Sequence, residues 1–115
     1  MVAAPLLQGQ LPSRLIGIEN HLNYIYRRQG SLSELETLGL SAILNSSLLD
    51  RYFRISNGNT QVSATELRAM PLPPLEILVK LGDEISRFNG IPTLEEIDNI
   101  VEEVLEAEEE MAVAL

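Results

Sequence analysis

The chain has 115 residues, 45% of them apolar but only 4% aromatic, so a single modest core has to be built from Leu, Ile, Val and Ala. It has no Cys, which excludes disulfides and thiolate metal sites and fits a reducing compartment. The net charge of −9 is local: nine of the 17 acidic groups lie in residues 93–115 without a basic one, and the rest is balanced at eight against eight.

No apolar run approaches the roughly 20 residues of a membrane span. The opening MVAAPLLQGQLP lacks the basic n-region and long apolar core of a signal peptide. A soluble cytoplasmic protein is expected.

Residues 1–14 read as a loosely held lead-in carrying Pro5, Gly9 and Pro12. Leu22, Tyr24 and Tyr26 then alternate with Asn23, Ile25 and Arg27 in a stretch rich in β-formers, which predicts a short strand. Leu15–Ile18 is a candidate for a second. After Gln29–Gly30, two overlapping capping boxes, Ser31 with Glu34 and Ser33 with Glu36, announce a helix. Its apolar stripe runs through Leu32, Leu35, Leu38, Ala42, Leu48, Leu49, Tyr52 and Phe53 to an end near Arg54. The polar stretch Ser56–Asn57–Gly58–Asn59–Thr60 stops it, because Asn-Gly tolerates positive φ.

Ser63 and Thr65 are candidate caps for a short helical turn through Met70. The PLPP run of residues 71–74 removes three amide donors and predicts an extended strut, with Pro74 leading the next helix. That helix shows Leu75, Leu78, Leu81, Ile85 and Phe88 on one stripe. Asn89–Gly90 and Pro92 end it, and Thr93 with Glu96 opens a last helix by another capping box. In it Leu94, Ile97, Val101, Val104 and Leu105 share a face. A short connection between two such helices predicts an antiparallel helical hairpin.

Nothing in the chain reads as a catalytic centre. The only histidine, His21, has no candidate nucleophile, and neither G-x-x-x-x-G-K-[ST], G-x-G-x-x-G nor G-x-S-x-G occurs. The glutamates from Glu102 to Glu110 lack a His or Cys among them and read as a solvated helix face. The loop after Arg54 differs in kind. Asn, Gln and Arg are the side chains that read base edges bidentately, and Ser, Thr and backbone amides hold phosphates.

Taken in order, ENHLNYIYR, LSAILNSSLLDRYFR and SNGNTQVSATELRAMPLPPLE resemble the C-terminal specificity region of adenine-N6 DNA methyltransferases of restriction–modification systems. They are also similar to the target-recognition domains of type I specificity subunits. The resemblance covers about residues 15–80 and rests on Leu44–Asn45–Ser46, a loop of the form S-G-x-T-Q-V, and the proline-rich lead into a helix. The present loop departs from that form by an extra Asn. The resemblance implies a module that selects DNA beside a catalytic domain carrying S-adenosylmethionine and an Asn-Pro-Pro-Tyr loop for a flipped adenine. Here Pro73–Pro74 stands between leucines, so the chain is expected to be no enzyme on its own and to hold no cofactor. By the same resemblance the DNA-facing residues are Arg51, Arg54, Asn57, Asn59, Thr60 and Gln61.

The expected fold is α+β and mostly α: short N-terminal strands, a central helix, the polar loop and strut, and the C-terminal hairpin. The expected organisation is a single domain, with a lead-in at 1–14, a recognition-like unit at 15–74 and helices at 75–115. Expected partners are DNA within a complex, a methyltransferase catalytic subunit, or a second copy through the C-terminal helices. The competing function is a protein-interaction or oligomerisation module that works through those helices without DNA.

Overall fold

The computed structural model describes residues 2–7, 10, 24–57 and 64–114, with the backbone alone at 55–57 and 110–114. Five helices appear in order: α1 Glu34–Asn45, α2 Ser47–Asn57, α3 Ala64–Ala69, α4 Leu75–Ser86 and α5 Leu94–Ala114. No strand occurs among the described residues, so the α+β expectation is corrected to a helical fold. Leu15–Ile18, His21 and Leu22 lie outside the described residues. Tyr24 and Tyr26 do fall on one side of the chain, with stacked rings 5.0 Å apart between centroids, but both are exposed. β-Propensity expresses fit to a pleated, half-buried surface, and no described segment offers these tyrosines a neighbouring strand.

Of the two capping boxes, Ser33 with Glu36 forms. The Glu36 amide donates to Ser33 Oγ at 3.1 Å, and the Ser33 amide donates to Glu36 Oε1 at 2.9 Å. The other carboxylate oxygen of Glu36 takes the Arg27 guanidinium, which ties the preceding segment to α1.

The single helix expected from the leucine stripe is two. Ser46 is extended (φ −67°, ψ 151°) and fully buried between α1 and α2. Its hydroxyl donates to the Ile43 carbonyl at 2.6 Å and accepts from the Leu49 amide at 3.3 Å, so one side chain closes α1 and opens α2. Asn45 holds the bend from the other side. Its amide group donates to the Ser41 carbonyl at 2.9 Å, exchanges two bonds with Ala3 (2.8 and 2.7 Å), and so pins the 2–7 segment to the end of α1.

The proline strut behaves as its chemistry requires: residues 71–74 are non-helical, and the Pro74 carbonyl accepts the first amides of α4, from Ile77 and Leu78. Thr65 sits inside the first turn of α3 instead of before it, and Ser63 lies outside the described residues. Thr93 and Glu96 form their capping box at the start of α5. Gly90, with φ +104°, turns the chain between α4 and α5 in a conformation that a side chain would strain.

The core joins Ile43 and Leu44 of α1, Leu49 and Phe53 of α2, Met70 just after α3, Ile77, Leu78 and Leu81 of α4, and Ile100 and Val101 of α5. Two stripe residues, Leu75 and Leu94, are more than half exposed instead, while Ile77 and Ile100 take the buried places. The cause is the partner of α4. That helix packs chiefly on α1 and less on α5. A Cβ on Gly39 would lie 1.7 Å from the Leu78 carbonyl oxygen, and one on Gly82 would lie 1.9 Å from that of Leu35. These reciprocal contacts, Gly39 with Leu78 and Gly82 with Leu35, set α1 and α4 antiparallel with their backbones touching. The buried face of α4 is therefore the one containing Gly82, offset from the leucine stripe.

Candidate nucleic-acid interface

The polar stretch of residues 58–63 lies in the chain between α2 and α3. Phe53 in α2, 2% exposed, and Met70 just after α3, 7% exposed, are both sunk in the core. α2 ends at Asn57 and α3 begins at Ala64; Phe53 anchors α2 four residues before its end, whereas α3 itself buries no residue and Met70 anchors the chain only after it. Asn59, Thr60 and Gln61 lie outside the described residues, and Asn57 is the last residue of α2. Arg68, on α3, is exposed on the far side of the loop.

The two arginines of α2 occupy different surroundings. Arg54 donates from Nε to Asp50 Oδ2 at 2.9 Å, and its side chain is 70% exposed. The guanidinium of Arg54 is the first cause holding the Asp50 carboxyl below its ordinary range. Arg51 lines a groove of about 440 Å³ between α2 and α5, together with Leu48, Leu105, Glu102, Glu106 and Glu109. The groove is thus at the N-terminal half of α2, and residues 58–63 follow its C-terminal end in the chain.

Asp98, one of the nine acidic groups in residues 93–115, lies at the head of this groove. Its carboxylate accepts from the Ser47 amide at 2.9 Å and from the Ser47 hydroxyl at 2.6 Å. A carboxylate from α5 therefore caps α2, where free amides and the helix dipole favour a negative charge. The spacing in the sequence, 51 residues apart, gave no sign of the pair. The acids of the exposed face, Glu102, Glu103, Glu106, Glu108 and Glu109, are all on the surface, and among the described residues only Glu108 reaches a cation, Lys80, at 3.7 Å.

Among the described residues no helix is long and apolar enough to cross a membrane. Comparison with known proteins gives a class first: the chain is homologous to a stretch of type II methyltransferases. It is 40% identical over 106 residues to Type II methyltransferase M.BsuBI of Bacillus subtilis, an alignment spanning 91% of this chain and 21% of that protein. It is 36% identical over 91 residues to Type II methyltransferase M.PstI of Providencia stuartii, spanning 79% of this chain and 18% of the relative. The chain thus spans about a fifth of the length of the curated relatives it matches. No family model matches it. No solved structure matches it either.

Proposed function

We propose that this chain is a target-recognition module of a type II restriction–modification system, the specificity part of a DNA adenine-N6 methyltransferase. It is non-catalytic alone and works with a catalytic portion. The observation that carries this reading is the 40% identity to M.BsuBI along nine-tenths of the chain but only a fifth of the relative. The chemical support is composition: Asn, Thr and Gln, side chains that read base edges or hold phosphates, stand in the stretch of chain between α2 and α3. In this reading Asn57, Asn59 and Gln61 read base edges, and Thr60 and Arg54 hold phosphates. Arg51 is one helical turn behind them, toward the groove.

S-adenosylmethionine belongs to the catalytic portion in this proposal. The affinity for DNA also has to come from elsewhere. Phosphate neutralisation dominates such binding, and a charge-balanced body joined to an acidic helix supplies little of it.

The test is a chimera of M.BsuBI in which this chain replaces its matching stretch, with methylation mapped on a library of duplexes. Recognition expects the methylated sequence to follow the inserted chain, and Asn59→Ala with Gln61→Ala to relax it while S-adenosylmethionine binding is kept. A chimera that retains the parental site and ignores both substitutions refutes the proposal.

A further inference from the structure

The groove between α2 and α5 has the form of a docking site, and its charge selects the occupant. Its floor is apolar: Val101 is buried, Leu105 half-buried, and Leu48 remains 46% exposed at the rim. Along one wall Glu102, Glu106 and Glu109 follow at i, i+4 and i+7, so they form a single row on α5. No hydrogen bond or ion pair within the described residues neutralises that row. From Asp98 to Glu109 the wall is about 16 Å long at the helical rise of ~1.5 Å per residue, room for about three turns of a partner helix. The opposite wall contributes the single cation Arg51.

We infer that this groove receives a cationic amphipathic helical segment of another polypeptide, with leucine-type residues toward Leu48 and Leu105 and Lys or Arg at i, i+4 and i+7 toward the glutamate row. An apolar strip gives such a segment its burial, and the unpaired carboxylates give it orientation and partner choice. A second copy of this chain is disfavoured, since two-fold pairing of the groove brings one acidic row against another. DNA is disfavoured by the same row. The inference goes beyond the recognition proposal and stands without it.

The test uses the full chain and a fluorescein-labelled helical peptide of leucine and lysine with the lysines at i, i+4 and i+7. A copy with glutamate in place of lysine is the control. Fluorescence anisotropy is expected to show binding of the lysine peptide only. Glu102→Lys with Glu106→Lys should weaken it at least about tenfold, ~1.4 kcal/mol. Glu95→Lys with Glu103→Lys makes the same charge change on exposed positions outside the groove and should weaken it less than about twofold on the same scale. Leu48→Ser, at the exposed rim, should weaken it without altering the circular dichroism spectrum. Equal loss with both lysine pairs, no binding of the lysine peptide, displacement of it by duplex DNA, or a dimer in sedimentation that Leu48→Ser dissolves would each overturn the inference.

Discussion

Replacing Gly39 with Ala sets two effects of opposite sign against each other. In a helix interior Ala is favoured over Gly by about 1 kcal/mol, so on local propensity alone the substitution stabilises α1. The crossing with α4 opposes it. The new methyl would stand 1.7 Å from the Leu78 carbonyl oxygen and 2.6 Å from its carbon, both backbone atoms that no rotamer change can move. Restoring an ordinary contact of 3.4 Å requires α1 and α4 to separate by about 1.7 Å. Ile43, Ile77, Leu78 and Leu81 pack in the core that these helices share, so the separation loosens buried contacts as well as straining the backbone. Overpacking of this kind costs about 3 kcal/mol, the upper end of its usual range. The net is a loss of about 2 kcal/mol after the propensity gain, or a fall in Tm of about 8 °C for a domain of this size. Thermal and urea unfolding of Gly39→Ala read it directly. Gly82→Ala should behave alike, and the double variant should lose clearly less than the sum, because one separation relieves both clashes. A Gly39→Ala protein that melts higher than the parent would refute the close crossing.

Two further outcomes follow from the caps. Hydrogen bonding from the Ser33 amide, then the Arg27 guanidinium, holds the Glu36 carboxyl below its ordinary range, so the fold favours the charged form. That contribution is present above the ordinary carboxylate range and is lost as pH falls through the lowered value. The Tm difference between the parent and Glu36→Gln should therefore be present at neutral pH and close in acid, and a gap that widens in acid would contradict it. Asp98→Ala removes the cap that α5 supplies to α2 and should cost about 1 kcal/mol, a Tm fall of about 4 °C. Asp98→Asn, whose amide oxygen can still accept from the Ser47 amide, should recover part of that loss, whereas equal effects of the two would mean the bond carries no stability.

Local signals in the sequence were legible wherever the physics is local. The boxes at Ser33–Glu36 and Thr93–Glu96, the proline strut and the turn at Gly90 all depend on residues within a few positions of one another. The stripe failed where long-range packing decided the outcome. Leu75 fits the helical period as well as Leu81 does, but α1 approaches the Gly82 face, and Leu75 is left half outside. The break at Ser46 was hidden for a related reason. Leucines on both sides keep an unbroken apolar run, and only the buried hydroxyl, bonded to Ile43 and Leu49, shows that the chain turns there. The tyrosine alternation misled in the opposite direction. Period two records which side chains share a side, and Tyr24 and Tyr26 do share one, but a ladder needs a neighbour that no local pattern supplies.

The candidate site divides along the same line. Its composition was readable, because Asn, Thr, Gln and Arg announce their hydrogen-bonding capacity wherever they stand. Its surroundings were not. Arg51 and Arg54 are three residues apart and looked equivalent, yet Arg54 is paired with Asp50 on its own helix and Arg51 faces the groove that α5 completes. The charge count hid this division too. A net of −9 argues against a polyanion partner only if the acid is near the contact, and here the acidic row runs along α5 while the polar loop leaves the far end of α2. At a Debye length of about 8 Å in physiological salt, the row repels DNA mainly from the groove side. In the recognition proposal most of the phosphate contacts are therefore left to the catalytic portion.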